Sequence, residues 1–119
     1  MTQILFFYMN HDIDEVANLI FSTLRIKNIM EEGDSSNVLG GTYFSCSLLG
    51  IQIKLEANSY DYDDVYNYMI GVKKDVLSEI KADDSIIADF TTILIRLLVT
   101  NLKTKIALEI DDNKIQIFE

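Results

Sequence analysis

The residues Gly40–Tyr68, GGTYFSCSLLGIQIKLEANSYDYDDVYNY, decide the fold. Ile51, Ile53, Leu55 and Ala57 alternate with Gln52, Lys54, Glu56 and Asn58. A period of two places one set on a buried face and the other in water, the mark of a β-strand. Phe44, Cys46 and Leu48 alternate in the same way with Tyr43, Ser45 and Ser47. Leu49-Gly50 separates the two runs, and glycine supplies the positive φ of a tight hairpin turn. The spacing therefore predicts a β-hairpin. Directly after it, Tyr60–Tyr68 holds four tyrosines and three aspartates.

Working outward, residues 65–73 fit two patterns. Tyr66, Tyr68, Ile70 and Val72 alternate as a strand would, while Tyr62, Val65, Tyr66, Met69 and Ile70 make a helical stripe. The tyrosines, the valines and Gly71 favour a third strand and an antiparallel meander. Upstream, Glu31–Asn37 reads as a polar turn-rich loop, Val38-Leu39 as a possible start of pairing, and Gly40-Gly41 as a bend. Ile4–Met9 is a continuous apolar run that suits a central strand buried on both faces. Asp12 with Glu15 has capping-box spacing, so a helix begins there. Its apolar face is Ile13, Val16, Ala17, Ile20 and Leu24, and Arg25 and Lys27 oppose the dipole at its end.

Asp75–Lys81 reads as a helical turn or two. Asp83-Asp84-Ser85 opens a second helix, Ser85 to Asn101, whose Ile86, Ile87, Phe90, Ile93, Leu94, Leu97 and Leu98 pack against the sheet. Ile95 and Val99 widen that face, and Arg96 sits on its edge with its stem on apolar surface. Thr104–Ile110 and Ile115–Ile117 form a last hairpin around Asp111-Asp112-Asn113. Together these give a single α+β domain over residues 1–119. Its sheet is mainly antiparallel, of about five to six strands, with two main helices on one face.

Nineteen acidic and ten basic residues leave a net charge of −9 in 119 residues, with a pI near 4.4. Such a chain is a poor ligand for nucleic acid or anionic lipid, where Lys and Arg carry affinity. A basic protein partner fits by charge, although solubility alone also accounts for acidity. The single Cys46 excludes an internal disulfide and shares a strand face with Phe44 and Leu48, so a buried, inert thiol is expected. The N-terminus lacks the basic region and cleavage site of a signal peptide, and Phe90–Val99 is too short and polar to span a bilayer. A cytoplasmic chain is the simplest expectation.

No catalytic constellation emerges. The lone His11 lies beside Asn10 and Asp12 without a nucleophile at a known spacing. A calcium loop opened by Asp61 would require Gly and Glu where Tyr66 and Val72 stand. No zinc or phosphate-loop spacing occurs, and neither cofactor nor metal is expected. The best candidate surface is Tyr60, Asp61, Tyr62, Asp63 and Asp64, joined by Glu31, Glu32 and Asp34. Tyrosine offers rigid area with a polar tip, and aspartate pairs with Arg or Lys on a partner. Tyr66 and Tyr68 are assigned to the core.

Gly41–Gly50, the strand after it and Asn58-Ser59-Tyr60-Asp61-Tyr62 resemble the immunity proteins of bacterial contact-dependent growth inhibition systems. The resemblance covers the whole chain in size, acidity and order of elements. It implies a non-enzymatic protein that binds and neutralises the C-terminal toxin domain delivered by a neighbouring cell, often a nuclease and therefore basic. Edge strands such as the C-terminal one can pair between copies, so a monomer or weak homodimer is expected. A small acidic adaptor or subunit of a larger assembly, or a small enzyme, are the rival readings.

Overall fold

A computed structural model describes residues 1–25, 31–111 and 114–119. Seven strands and two helices follow in the order β1 (Thr2–Phe7), α1 (Ile13–Thr23), β2 (Glu31–Asp34), β3 (Thr42–Leu48), β4 (Ile51–Ala57), β5 (Tyr68–Lys74), α2 (Asp84–Leu102), β6 (Ile106–Asp111) and β7 (Lys114–Phe118). The strands form one sheet in the order β2-β3-β4-β5-β1-β6-β7, and every described pairing is antiparallel. This is the expected α+β architecture, with seven strands in place of five or six.

The hairpin forms as its alternation dictates. Phe44, Cys46, Ile51, Ile53 and Leu55 are buried. Leu48 pairs with Ile51 across a two-residue turn in which both Leu49 (φ 53°) and Gly50 (φ 80°) are left-handed. That is the geometry whose twist matches two antiparallel strands. β5 completes the meander, pairing Ile51–Ala57 with Lys74–Tyr68. It begins at Tyr68, so Val65 and Tyr66 belong to the preceding loop and not to a strand. The early apolar run becomes the central strand β1, where Leu5, Phe6 and Phe7 are wholly buried between β5 and β6, but the strand ends at Phe7 and Tyr8 beyond it is exposed.

Both helices lie on one face. α1 lies over β3 and β4, while α2 lies over β5, β1 and β6. The main core joins Val16, Ile20 and Phe21 of α1 and Ile87, Leu94 and Leu98 of α2 to Leu5, Phe7, Ile53, Leu55, Ile70 and Val72. Each helix starts at an aspartate cap. Asp12 Oδ1 accepts from Glu15 N at 2.9 Å, and Asp83 Oδ1 accepts from Ile86 N at 2.8 Å. Such caps satisfy amides that have no intrahelical partner. By length and composition alone α2 could cross a membrane; here its Ile87, Thr91, Leu94, Ile95 and Leu98 are buried against the sheet.

Five local expectations are corrected. Glu31–Asp34 is a short edge strand paired with Ser45–Thr42, not a loop. An edge strand needs no apolar alternation, so the polar sequence hid it. Val38 is buried, but it sits in a turn and does not pair. Asp75–Lys81 is turn and bend without helix, held by Asp75 Oδ1 accepting from Leu77 N at 3.1 Å. Arg25 lies beyond the end of α1, whose last turn has no basic residue; Lys27 falls outside the described residues, as do Asp112 and Asn113 of the last turn. On α2, Ile86, Ile93 and Leu97 face outward and Thr91 is buried in their stead, its hydroxyl donating to Ile87 O at 2.7 Å.

Cys46 is buried as expected, and burial pushes its thiol up to about 11. An unfolded thiol loses its proton near pH 8.5. Between those values the unfolded state binds fewer protons, so stability falls as pH rises. Burial also raises the Tyr68 phenol, with the Asp12 and Glu15 carboxylates adding to the effect. Urea unfolding is expected to show stability lost progressively from about pH 9 to about pH 11. Cys46→Ala should lose measurably less over that interval than the parent; equal losses would remove the thiol from the explanation.

Candidate functional site

Antiparallel register fixes what the helix-free face displays. Side chains from one row of paired residues point the same way. Ile4, Gly71, Lys54, Ser45 and Glu31 form one row across five strands. Thr2, Lys73, Gln52 and Ser47 form the row on one side of it. On its other side lie Phe6, Met69 and Glu56. This face is polar over β3 and β4 and apolar over β1, where Phe6 is 0 % exposed although no helix covers it.

What covers Phe6 is the loop between β4 and β5. The rings of Phe6 and Tyr62 meet edge-on at 5.9 Å, and those of Phe6 and Tyr66 stack at 6.4 Å. With Met69 and Ala107 buried beside them, and Ile4 and Ile115 partly so, they form a second small core. Tyr66 and Tyr68 are thus both core residues, on opposite faces. Tyr68 stacks on Phe7 and donates its hydroxyl to His11 O.

Two asparagines clasp the loop. Asn58 is buried; its Nδ2 donates to Asp61 O at 3.0 Å and Tyr66 O at 2.9 Å, while its Oδ1 accepts from Tyr60 N at 2.9 Å. Its backbone N–H donates to Asn67 O at 2.9 Å. The Asn67 side chain accepts from Met9 N at 3.0 Å and donates to Met9 O at 2.8 Å, tying the loop to the end of β1. Inside the loop, Val65 N and Tyr66 N both donate to Tyr62 O. Tyr62 adopts φ 62°, a left-handed conformation that turns the chain back over the sheet. The alternation of β4 puts Asn58 on the water side, yet it is buried, and Asn67 has no place in the sequence pattern. Their signal was two Asn residues closing the Tyr/Asp cluster at both ends, since Asn readily mimics backbone in turns.

With its tyrosines 62 and 66 anchored inward, the loop turns Tyr60, Asp61, Asp63 and Asp64 outward; Tyr60 is 61 % exposed. Among the described residues none of these three aspartates makes an ion pair. Glu31, Glu32 and Asp34 are likewise exposed and free of ion pairs, although Asp34 Oδ1 accepts from Thr42 Oγ1 at 3.3 Å. They lie on the edge strand β2, however, whereas Tyr62 packs on β1. Four strand spacings separate these strands, about 19 Å. The eight predicted residues therefore make two acidic patches, one on the covering loop and one on the sheet edge.

The remaining chemistry is sparse. His11 Nδ1 lies 2.7 Å from Glu15 Oε2 at the exposed start of α1. No group of three or more metal-ligating side chains occurs among the described residues. A groove of about 220 Å³ on the helix-free face is lined by Ile4, Lys54, Glu56, Tyr60, Met69, Gly71 and Lys73, with Thr2 at one end. Compared with known proteins, the chain matches no protein-family model, no curated protein and no solved structure.

The clasp makes Asn58 the most consequential polar residue of the site. Asn58→Ala leaves the buried carbonyl of Tyr66 and the half-buried Asp61 carbonyl and Tyr60 amide without partners. Each costs about 1–3 kcal/mol, so a loss of roughly 2–4 kcal/mol in urea unfolding is expected after partial access of water. Asn58→Asp should recover only part of this, because a carboxylate accepts from Tyr60 N but cannot donate. An alanine variant as stable as the parent would show that the loop does not depend on this side chain.

Proposed function

We propose that this chain is an immunity protein of a contact-dependent growth inhibition system, acting in the cytoplasm by binding a basic, nuclease-type toxin domain. The observation that carries the reading is the covering loop: an exposed tyrosine and three carboxylates without ion pairs among the described residues, held on a hydrogen-bonded backbone. A surface already ordered in the free protein loses little conformational entropy on binding. Tyr60 supplies the rigid anchor typical of interface hot spots, and Asp61, Asp63 and Asp64 supply acceptors for Arg or Lys. The net charge of −9 raises the encounter rate with a positively charged partner. Tight association suffices, so the reading requires no catalytic group. The acids of β2 form a second contact if the partner spans the sheet.

The test is co-expression with the toxin domain encoded beside it, followed by titration of the purified pair. Reversal of Asp61, Asp63 and Asp64 to Lys should weaken binding by on the order of 30- to 1,000-fold, as expected from three pairs worth about 1 kcal/mol each or somewhat more. The parent affinity should fall with added salt. Equal toxicity with and without this chain would end the immunity reading, and unchanged affinity of the reversed variant would move the docking surface elsewhere.

A further inference from the structure

Gly71 sits in the middle of β5, within the sheet's interior, where glycine weakens a strand and offers nothing to pack. The other four glycines have reasons inside the molecule. Gly40, Gly41 and Gly50 adopt positive φ, and the Tyr43 ring occupies the space that a side chain at Gly33 would need. Gly71 has neither reason. Its φ is not left-handed, and a Cβ built on it meets nothing within 4 Å. A glycine inside a strand also marks places where a ligand or another chain comes close to the backbone.

The missing side chain leaves a hole in the grid of the helix-free face. Ile4 and Lys54 flank Gly71 across the sheet, and Met69 and Lys73 flank it along β5. Lys54 and Glu56 line the hole as a pair: the Lys54 ammonium lies 4.6 Å from the Tyr43 ring centroid and 3.4 Å from Glu56 Oε2. Glu56 thus already has a cation beside it. Lys73 is exposed and has no hydrogen-bond or ion-pair partner among the described residues. The groove so formed is lined by Ile4, Met69 and the Lys54–Glu56 pair, shares Tyr60 with the docking loop, and carries Lys73 at its rim as a cation unpaired among the described residues.

We propose that this groove receives a carboxylate on a short aliphatic stem, the stem lying over Gly71 between Ile4, Met69 and Tyr60 and the anion meeting Lys73. A stem of that kind fills the volume that strand residues other than glycine would occupy. The favoured source is an Asp or Glu side chain of the bound partner, an assignment that rests on the docking reading above. Such a contact runs against the sign of the rest of the interface and would add specificity by excluding partners that bring a cation there. A free small carboxylate has the same chemistry.

Two measurements decide. Backbone amide shifts are followed while the parent chain is titrated with N-acetyl-glutamate blocked as its α-amide (N-acetyl-glutamate below), with N-acetyl-glutamine α-amide as the neutral isostere. Gly71→Val and Lys73→Gln are titrated in parallel. Valine suits a strand and meets open space, so Gly71→Val should fold with undiminished thermal stability. The proposal expects shifts at Ile4, Lys54, Tyr60, Gly71 and Lys73 with N-acetyl-glutamate. Binding should be at least about tenfold weaker for the isostere and for both variants, the scale of one charge-assisted hydrogen bond. In the second measurement, toxin binding by Gly71→Val separates the sources: a loss of about tenfold or more assigns the groove to a partner side chain. An unchanged toxin affinity beside a lost N-acetyl-glutamate response assigns it to a free carboxylate. No localised shifts, or shifts that persist in a folded Gly71→Val, overturn the proposal. The amide titration needs no toxin, so it stands even if the immunity reading fails.

Discussion

Phe6 is a fully buried phenyl ring on the face of the sheet that carries no helix. Central position forces this. β1 lies between β5 and β6, and its neighbours Leu5 and Phe7 face the helices, so Phe6 must point the other way. Leaving such a ring in water forgoes roughly 2–3 kcal/mol of burial. The chain meets this demand with the loop between β4 and β5, which lays Tyr62 and Tyr66 on Phe6. Folding a loop onto the sheet buries backbone amides and carbonyls, and each needs a partner. Asn58 and Asn67 provide them. Packing of one aromatic residue thus fixes the conformation of the segment that bears the exposed acids.

The same constraint separates two roles within one tyrosine-rich sequence. Tyr62 and Tyr66 are anchors that face inward, Tyr68 belongs to the main core, and Tyr60 alone of the four is left largely in solvent. The aspartates alternate with the anchors and are excluded from the apolar cover, since an ionised carboxylate is costly to bury without a cation. Their exposure is therefore a consequence of the fold, while their lack of ion pairs among the described residues is a choice of sequence. At the far end of the sheet the carboxylate of Asp84 has the opposite surroundings: a hydrogen bond from Lys74 holds it below the usual range, assisted by the N-terminal ammonium.

Legibility in the sequence followed the locality of the interactions. The β3–β4 hairpin, the start of both helices and the burial of Cys46 depend on alternation, capping and neighbours along the chain, and these could be read directly. β2 could not, because an edge strand with Glu31, Glu32 and Asp34 has no buried face to impose a pattern. The outward Ile86, Ile93 and Leu97 of α2 were misassigned for a related reason: a helix that is apolar nearly all round does not declare which stripe meets the sheet. In the candidate site, the residue types were visible but their arrangement was not. Val65 and Tyr66 looked like the start of a strand because their alternation continues into β5. That Tyr66 turns instead onto Phe6, sixty residues earlier, is a long-range packing fact with no local signature. Asn58 and Asn67 acquire their roles only once that loop is in place.

Native-state amide hydrogen exchange tests the cover over Phe6 most directly. The amides of Asn58, Val65 and Tyr66 donate to backbone carbonyls within the loop, and that of Tyr60 donates to the Asn58 side chain. If the loop is part of the core, these amides should exchange with protection comparable to neighbouring amides of β4 and β5, within about tenfold. Exchange of all four at the rate of an unstructured peptide, with β5 still protected, would contradict the account.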